Sequence, residues 1–317
     1  GWHDGDMREA VRSLNTTALT PANGFAARAA LQVEWLIITH FHGDHVGGAV
    51  DLLTGSEPLD LRHGVVHRGL TDLGSAVNTA ADQALCETLR GDIVDRDVPL
   101  CTAASEAPCA SASWAGSYPA TACDGLFRGD LGDPADDGDG APSFLDLGGG
   151  ARMTLVAAGA FASDGTAASA APAFGVDLDN EENARGVVGL VTHGAFRLHL
   201  GGDLTGSGTA DEPDVESFLV AVAGLRFYGP CGVDVIRVHH HARNTSSNAA
   251  FVDLVAPIDG KDRNAIASIN AAYLGSPEAA VLSAWLAGGA SGAARSGSRP
   301  RRPAAPRTPG WWTPRGP

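Results

Sequence analysis

The chain has 317 residues, is 44% hydrophobic and carries a formal net charge of −15. That length suits one large domain or two small ones, and no apolar run approaches the roughly 20 residues of a membrane span. The acidic balance argues against a general affinity for nucleic-acid backbones, but not against cleavage of a phosphodiester with the help of bound cations.

No signal peptide is visible at the start of the chain. Residues 1–24 are polar and weakly patterned, with Asp4-Gly5-Asp6 reading as a turn. Residues 25–34 read as a short helix with Ala and Leu on one side. The apolar run Trp35-Leu36-Ile37-Ile38 reads as a buried strand and leads into Thr39-His40-Phe41-His42-Gly43-Asp44-His45. Imidazole and carboxylate are ligands for zinc and similar transition metals. A strand that stops here projects His40 and His42 from one face, by its period of two. Asp44 and His45 sit in the turn that opens the next helix, residues 46–53, within reach of a second ion. One short loop thus offers ligands to two neighbouring cations.

Residues 54–150 carry weaker signals. Val65-Val66-His67 reads as a strand and Ser75–Leu89 as a helix. Cys101, Cys109 and Cys123 lie close together in an Ala/Ser-rich stretch, while Cys86 and Cys231 lie apart. Such spacing suggests a disulfide and an oxidising compartment, with free thiols the other reading, so a secreted or periplasmic location is suspected and a cytoplasmic one stays open. The acidic turn Asp133–Gly140 lacks the spacing and terminal Glu of an EF-hand loop.

Strands are expected at Phe144–Leu147 and Arg152–Ala158, then a Gly/Ala/Ser-rich loop to about residue 175. Residues 186–192 and 195–200 read as paired strands joined at His193-Gly194. They end at Gly201-Gly202-Asp203, where the glycines let the backbone turn tightly and present a carboxylate. Residues 214–223 are expected to be helical. The strand Val233–Val238 ends at His239-His240-His241. A helix at Asn248–Val255, a strand at Ala265–Ile269 and a helix at Pro277–Leu286, with Pro in its first turn, complete the pattern. From residue 291 on there are six Arg and no acids, a composition that reads as a disordered tail.

The segment from Thr39 to Gly48 resembles the His-x-His-x-Asp-His signature of the metallo-β-lactamase-fold hydrolases, including the preceding Thr and following Gly-Gly. The resemblance implies an α/β, layered fold: a four-layer αββα sandwich with a metal site at one edge of its two sheets. Little room precedes the signature, so an incomplete N-terminal sheet is expected. Asp203 falls where the family places a bridging aspartate, after a strand and Gly-Asp. Gly232–Ser247 is similar to the Val-Asp-Val-x-Lys-Val-x-His-His-Gly-Ser-x-Thr-Ser-Ser segment of the hydrolase domain of the competence protein ComEC and its secreted relatives. Asn180–Asp203 resembles that branch's Asn-rich segment, paired strands and Gly-Asp. His240 and His241 fall on the paired histidines, with His240 favoured as nearer the strand end, and His239 falls on a variable position.

The chain departs from the branch at Ala242-Arg243, where it has Gly-Ser, and at Ser276, where it has His. No Gly-His loop supplies a third ligand to the first metal, which argues against a β-lactamase or glyoxalase and is shared with the ComEC-like branch. His199 shares strand parity with Asp203 and is a minor candidate for its partner, a histidine without a role at the site being the main reading. Asp177 and Asp179 are candidates for the vacant ligand position, whereas His3, His63, His67 and His193 read as isolated.

The implied protein is a metal-dependent hydrolase in which a metal-bound hydroxide attacks a phosphodiester, nucleic-acid or small-molecule. A lactonase or β-lactamase, and a decayed metal-binding member, are the alternatives. His40 and His42 bind the first ion; Asp44, His45 and His240 or His241 bind the second; Asp203 bridges. Asp44 and Asp203 are the catalytic carboxylates. Two Zn²⁺ are expected, with Mn²⁺ the other option. Residues 1–290 form the hydrolase domain, with 55–143 a divergent insertion, and 291–317 the tail.

Overall fold

The computed structural model describes residues 4–40, 42–67, 100–102, 127–128, 144–158, 161–163, 168–170, 182–207, 213–222, 224–257, 262–267, 278–287 and 290–292. Helix α1 (Asp4–Ser13) takes in Asp4-Gly5-Asp6 as its first turn, where a free turn was expected. The helix expected at residues 25–34 is instead irregular chain and a turn, closed by Gln32 N–H on Ala29 O at 3.1 Å, leading into strand β1 (Gln32–Ile38). The reason is local: the Asn15 amide donates to the carbonyls of Ala29, Ala30 and Gln32 at 3.1, 3.2 and 2.7 Å, which takes them away from helical pairing.

Among the described residues the strands form two sheets. The smaller is parallel, in the order β1, β2 (Asp60–His67), β3 (Leu100–Thr102). The larger has ten strands. Its antiparallel half comprises β4 (Phe127–Arg128), β5 (Phe144–Gly148), β6 (Ala151–Ala158), β9 (Val188–His193) and β10 (Phe196–Leu200). β10 continues in parallel into β11 (Val235–Arg237), β12 (Arg263–Ile266) and β13 (Ala290–Gly292). Strands β7 (Phe161–Ser163) and β8 (Ala168–Ala170) pair off β6, where sequence alone suggested a loop. Strands β2 to β4 are drawn from within residues 55–143.

Side-chain alternation gives the larger sheet two buried faces. On one, Met153, Leu155 and Val187 meet Val66 and the half-buried Trp35 and Ile37 of the small sheet. On the other, Val156, Val188, Leu190 and Ile236 pack with Leu219, Phe251, Val252 and Trp285. These last four come from helices α3 (Val215–Val222), α5 (Ala249–Val255) and α6 (Ala279–Ala287); the short α4 (Gly224–Tyr228) lies between α3 and β11. The register shift between Leu155 and Ala157 is a bulge, and after it the parity inverts: Ala157 joins the helix face and Ala158 the sheet face. Helix α2 (Gly43–Thr54) buries Ala49, Leu52 and Leu53 and packs on β1 and α1. The order is helix, small sheet, large sheet, helices: the expected αββα sandwich.

The expected helix at 75–89, the acidic turn at 133–140, Cys86, Cys109, Cys123, Asp177, Asp179, Ser276 and residues 293–317 lie outside the described residues. Cys231 is a free, exposed thiol.

Candidate metal centre

Three chain segments leave the sheets at one edge. Thr39 and His40 follow β1, Gly201–Asp203 follow β10, and Val238–His241 follow β11. β10 and β11 are parallel neighbours, so their carboxyl ends coincide, the usual place for a ligand in such sheets. The Val187 amide donates to Thr39 O at 2.8 Å and ties the segment entering β9 to the small sheet's loop.

His42 caps α2, and His45 sits in its first turn with its N–H on His42 O at 2.8 Å. The side chain of Asp44 lies outside the described residues. His40 is fully buried. Its Nδ1 stands 3.2 Å from Thr39 Oγ1, and its Nε2 has no hydrogen-bond partner. Burial, then the neighbouring His45, hold its pKa well below the usual value, so the ring is neutral. With the Nδ1 hydrogen on Thr39, Nε2 presents a bare lone pair. A buried polar atom left so costs about 1–3 kcal/mol unless something binds it. The rings of His42 and His45 lie 5.0 and 4.0 Å from that of His40.

Asp203 is almost fully buried, and each of its oxygens has a different neighbour. Oδ2 faces His45 Nε2 at 3.0 Å and His241 Nε2 at 2.9 Å, while Oδ1 faces Arg237 Nη1 at 3.2 Å. Burial pushes the carboxyl pKa up, but hydrogen bonds from His241 and His45, and then nearby His40, hold it well below the usual range. It stays ionised. The ligand-capable atoms of His40, His45 and Asp203 all lie within 4.8 Å of one another.

The histidine run ends in an unusual turn. His240, His241 and Ala242 have φ of 44°, 53° and 59°, a single left-handed turn closed by Ala242 N–H on His239 O and Arg243 N–H on His240 O, at 3.0 and 2.9 Å. Each such residue costs roughly 1–2 kcal/mol in this conformation, and strain of this kind clusters at functional sites. The turn brings His241, rather than His240, onto Asp203. His240 instead has its Nδ1 2.6 Å from Thr245 Oγ1, with burial taking its pKa down to about 4.

The two glycines before Asp203 do not adopt the left-handed backbone that a tight turn would require; they are required for space. A Cβ on Gly201 would lie 2.5 Å from His239 Nε2, and one on Gly202 would lie 3.1 Å from His40 Nδ1. His199 is likewise not on Asp203: it faces the helices, with Nε2 2.8 Å from His239 Nε2 and Nδ1 3.0 Å from Tyr228 Oη. Sequence reasoning missed Arg237, Thr245, His239 and Glu216 as parts of this region. The one available signal was a single acid inside the apolar helix segment Val215–Val222.

Residues 17–108 match the family model of the metallo-beta-lactamase superfamily. The match covers β1, the histidine loop, α2, β2 and β3. No curated protein matches the chain. Proteins of that superfamily are typically hydrolytic metalloenzymes, and the match points to a metal-dependent hydrolase. The side chains fit a divalent cation on their own terms. A neutral buried imidazole has an unpartnered Nε2, an ionised carboxylate stands beside it, and two further imidazoles face that carboxylate. Among the described residues, no helix is long and apolar enough to cross a membrane.

Proposed function

We propose that the chain is a zinc-dependent hydrolase acting on phosphodiesters, with a nucleic-acid strand or a small-molecule phosphodiester as substrate. The observation that carries the reading is the convergence of His40, His45 and Asp203 at one sheet edge, with His241 closing on the same carboxylate oxygen. His40 and His42 would hold a first ion, and Asp44, His45 and His241 a second, with Asp203 within reach of both. His240, held at Nδ1 by Thr245, keeps its Nε2 for a ligand or for substrate. Zinc fits the imidazole-rich set; manganese is the alternative.

Divalent cations held here lower the pKa of a coordinated water and offset negative charge developing on the substrate. The chain's own residues prepare the site. Asp203 remains ionised and keeps Oδ2 directed at the histidines, because Arg237 engages Oδ1. Burial keeps His40 neutral, with Nε2 free to bind. Asp44 is proposed to orient the attacking water or accept its proton. The phosphodiester preference rests on the resemblance of Gly232–Ser247 and Asn180–Asp203 to the ComEC-type branch.

The test is a parallel assay of zinc-loaded wild type and Asp203→Asn on bis-p-nitrophenyl phosphate, single-stranded DNA, a lactone and a β-lactam. Phosphodiester turnover that falls about 100-fold in Asp203→Asn is expected. Lactone or lactam hydrolysis without phosphodiester turnover overturns the substrate class. A protein that binds no zinc and turns over no ester is a decayed member.

A further inference from the structure

Behind the strained turn, four buried polar side chains form one hydrogen-bonded chain. Tyr228 Oη lies 3.0 Å from His199 Nδ1, His199 Nε2 lies 2.8 Å from His239 Nε2, and His239 Nδ1 lies 2.7 Å from Glu216 Oε1. Tyr228, His199 and Glu216 have no exposure and His239 has 1%. The far side of the Glu216 carboxylate is also occupied: Oε1 accepts from Ser247 N–H at 2.8 Å and Oε2 from Asn248 N–H at 2.7 Å. Gly206 leaves the room for this, since a Cβ there would lie 2.3 Å from Oε2.

Hydrogen counting gives the chain a direction. Two imidazole Nε2 atoms that face each other must be one donor and one acceptor. Burial pushes the Glu216 pKa up to about 8; above that pH the acid is ionised, and His239 donates through Nδ1 and accepts at Nε2. His199 then donates through Nε2 and accepts at Nδ1 from the Tyr228 hydroxyl, so every hydrogen has an acceptor. The reverse order needs a protonated Glu216 and leaves the Tyr228 hydroxyl hydrogen without an acceptor among the described residues.

The elements joined in this way bracket the left-handed turn. His239 immediately precedes it, and its carbonyl accepts from Ala242 N–H and from Ser246 Oγ, both at 3.0 Å. Ser247, itself at φ 65°, and Asn248 follow it. The His239 ring stacks on Phe251, with centroids 4.9 Å apart. One carboxylate therefore grips both ends of the segment that carries His240 and His241.

We propose that Glu216 is a positioning residue: through His239 and the Ser247 and Asn248 amides it holds the His240–Ala242 turn left-handed, and so holds His241 against Asp203. The inference rests on the reading of His241 and Asp203 as metal-binding. It assigns a role to a buried acid and to a histidine at a position that varies in the branch the chain resembles.

The test uses the full chain, wild type and Glu216→Gln, with three readouts. In the metal-free wild type at alkaline pH, where the histidines are neutral, ¹⁵N spectra should show His239 protonated on Nδ1 and His199 on Nε2. In Glu216→Gln that pattern should be lost, and hydrogen exchange at the Ala242 and Arg243 amides should accelerate about tenfold. Affinity for Co²⁺, read from its visible absorption, should fall about tenfold or more while unfolding stays cooperative. Exchange and Co²⁺ affinity within twofold of wild type, or reversed tautomers in the wild type, overturn the proposal. If Glu216→Gln does not fold, Gly206→Ala decides: its Cβ would lie 2.3 Å from Glu216 Oε2 and must displace the carboxylate, so the same two amides should speed up, and unchanged exchange overturns the proposal. A wild type with the expected tautomers and protected amides but no Co²⁺ binding supports the positioning of the turn and contradicts the metal reading instead.

Discussion

Arg237 Nη1 stands 3.2 Å from Asp203 Oδ1, while the other oxygen of that carboxylate faces His45 and His241. The guanidinium turns Oδ2 towards the histidines and leaves that oxygen the better placed for a cation. Replacing Arg237 by Met leaves Oδ1 nearly buried without its charged partner. The metal-free protein should lose about 1–3 kcal/mol of stability, measured by urea unfolding, and recover part of it in saturating zinc. A loss of the same size with and without zinc would show that the pair has no link to the metal site.

The glycines around Asp203 are predicted to fail in a graded way. Gly201→Ala drives a methyl to 2.5 Å from a buried His239 ring nitrogen, so something must shift, at a cost of roughly 1–3 kcal/mol. In Gly202→Ala the nearest atoms stand at 3.1 Å and need give only slightly. Chemical denaturation should rank Gly201→Ala as the more damaging. The opposite order would contradict the packing described.

Ala242 has φ 59°, a conformation that favours glycine. Ala242→Gly should be neutral to stabilising by up to about 1 kcal/mol, because relief of the left-handed conformation offsets the lost methyl burial. Ala49→Gly, in the middle of α2, should cost about 1 kcal/mol. Equal losses at both sites would contradict the left-handed turn.

The metal-free protein should be most stable near pH 7. Burial holds His40 and His199 well below their usual pKa, His239 down to about 3 and His240 down to about 4. Below about 6.5 the unfolded chain therefore binds protons that the fold does not, and stability falls with pH. Glu216 acts in the opposite sense: burial pushes its pKa up to about 8, so its contribution is lost as pH rises from 4.5 towards 8. At pH 6.5 the four histidines, half protonated in the unfolded chain, still outweigh one carboxyl; the two balance near pH 7, and above it the carboxyl dominates. Urea midpoints across a pH series check this; stability still rising between pH 7 and 8 would contradict it.

The parts legible in the sequence were those whose chemistry is local. The histidine loop concentrates ligands within six residues after an apolar run, and Asp203 follows a strand of clear alternation. Which of His240 and His241 faces Asp203 was not legible, because it depends on a left-handed turn that no propensity predicts for His-His-Ala. The Glu216–His239 pair was hidden for another reason: its members are 23 positions apart and meet only when α3 packs on β11. Gly201 and Gly202 were seen, but their purpose was not, since the rings that need the space come from β1 and β11. The helix expected at 25–34 failed because a distant Asn15 takes its carbonyls.

The central claim is that the sheet edge where His40, His45 and Asp203 converge binds metal. Zinc-edge anomalous diffraction from crystals of the zinc-loaded chain tests it most directly. The account predicts a peak about 2.0–2.2 Å from His45 Nε2 and Asp203 Oδ2, at the edge where His40 Nε2 lacks a partner. A zinc-saturated crystal with no peak at those side chains, or with its only peak elsewhere, would contradict it.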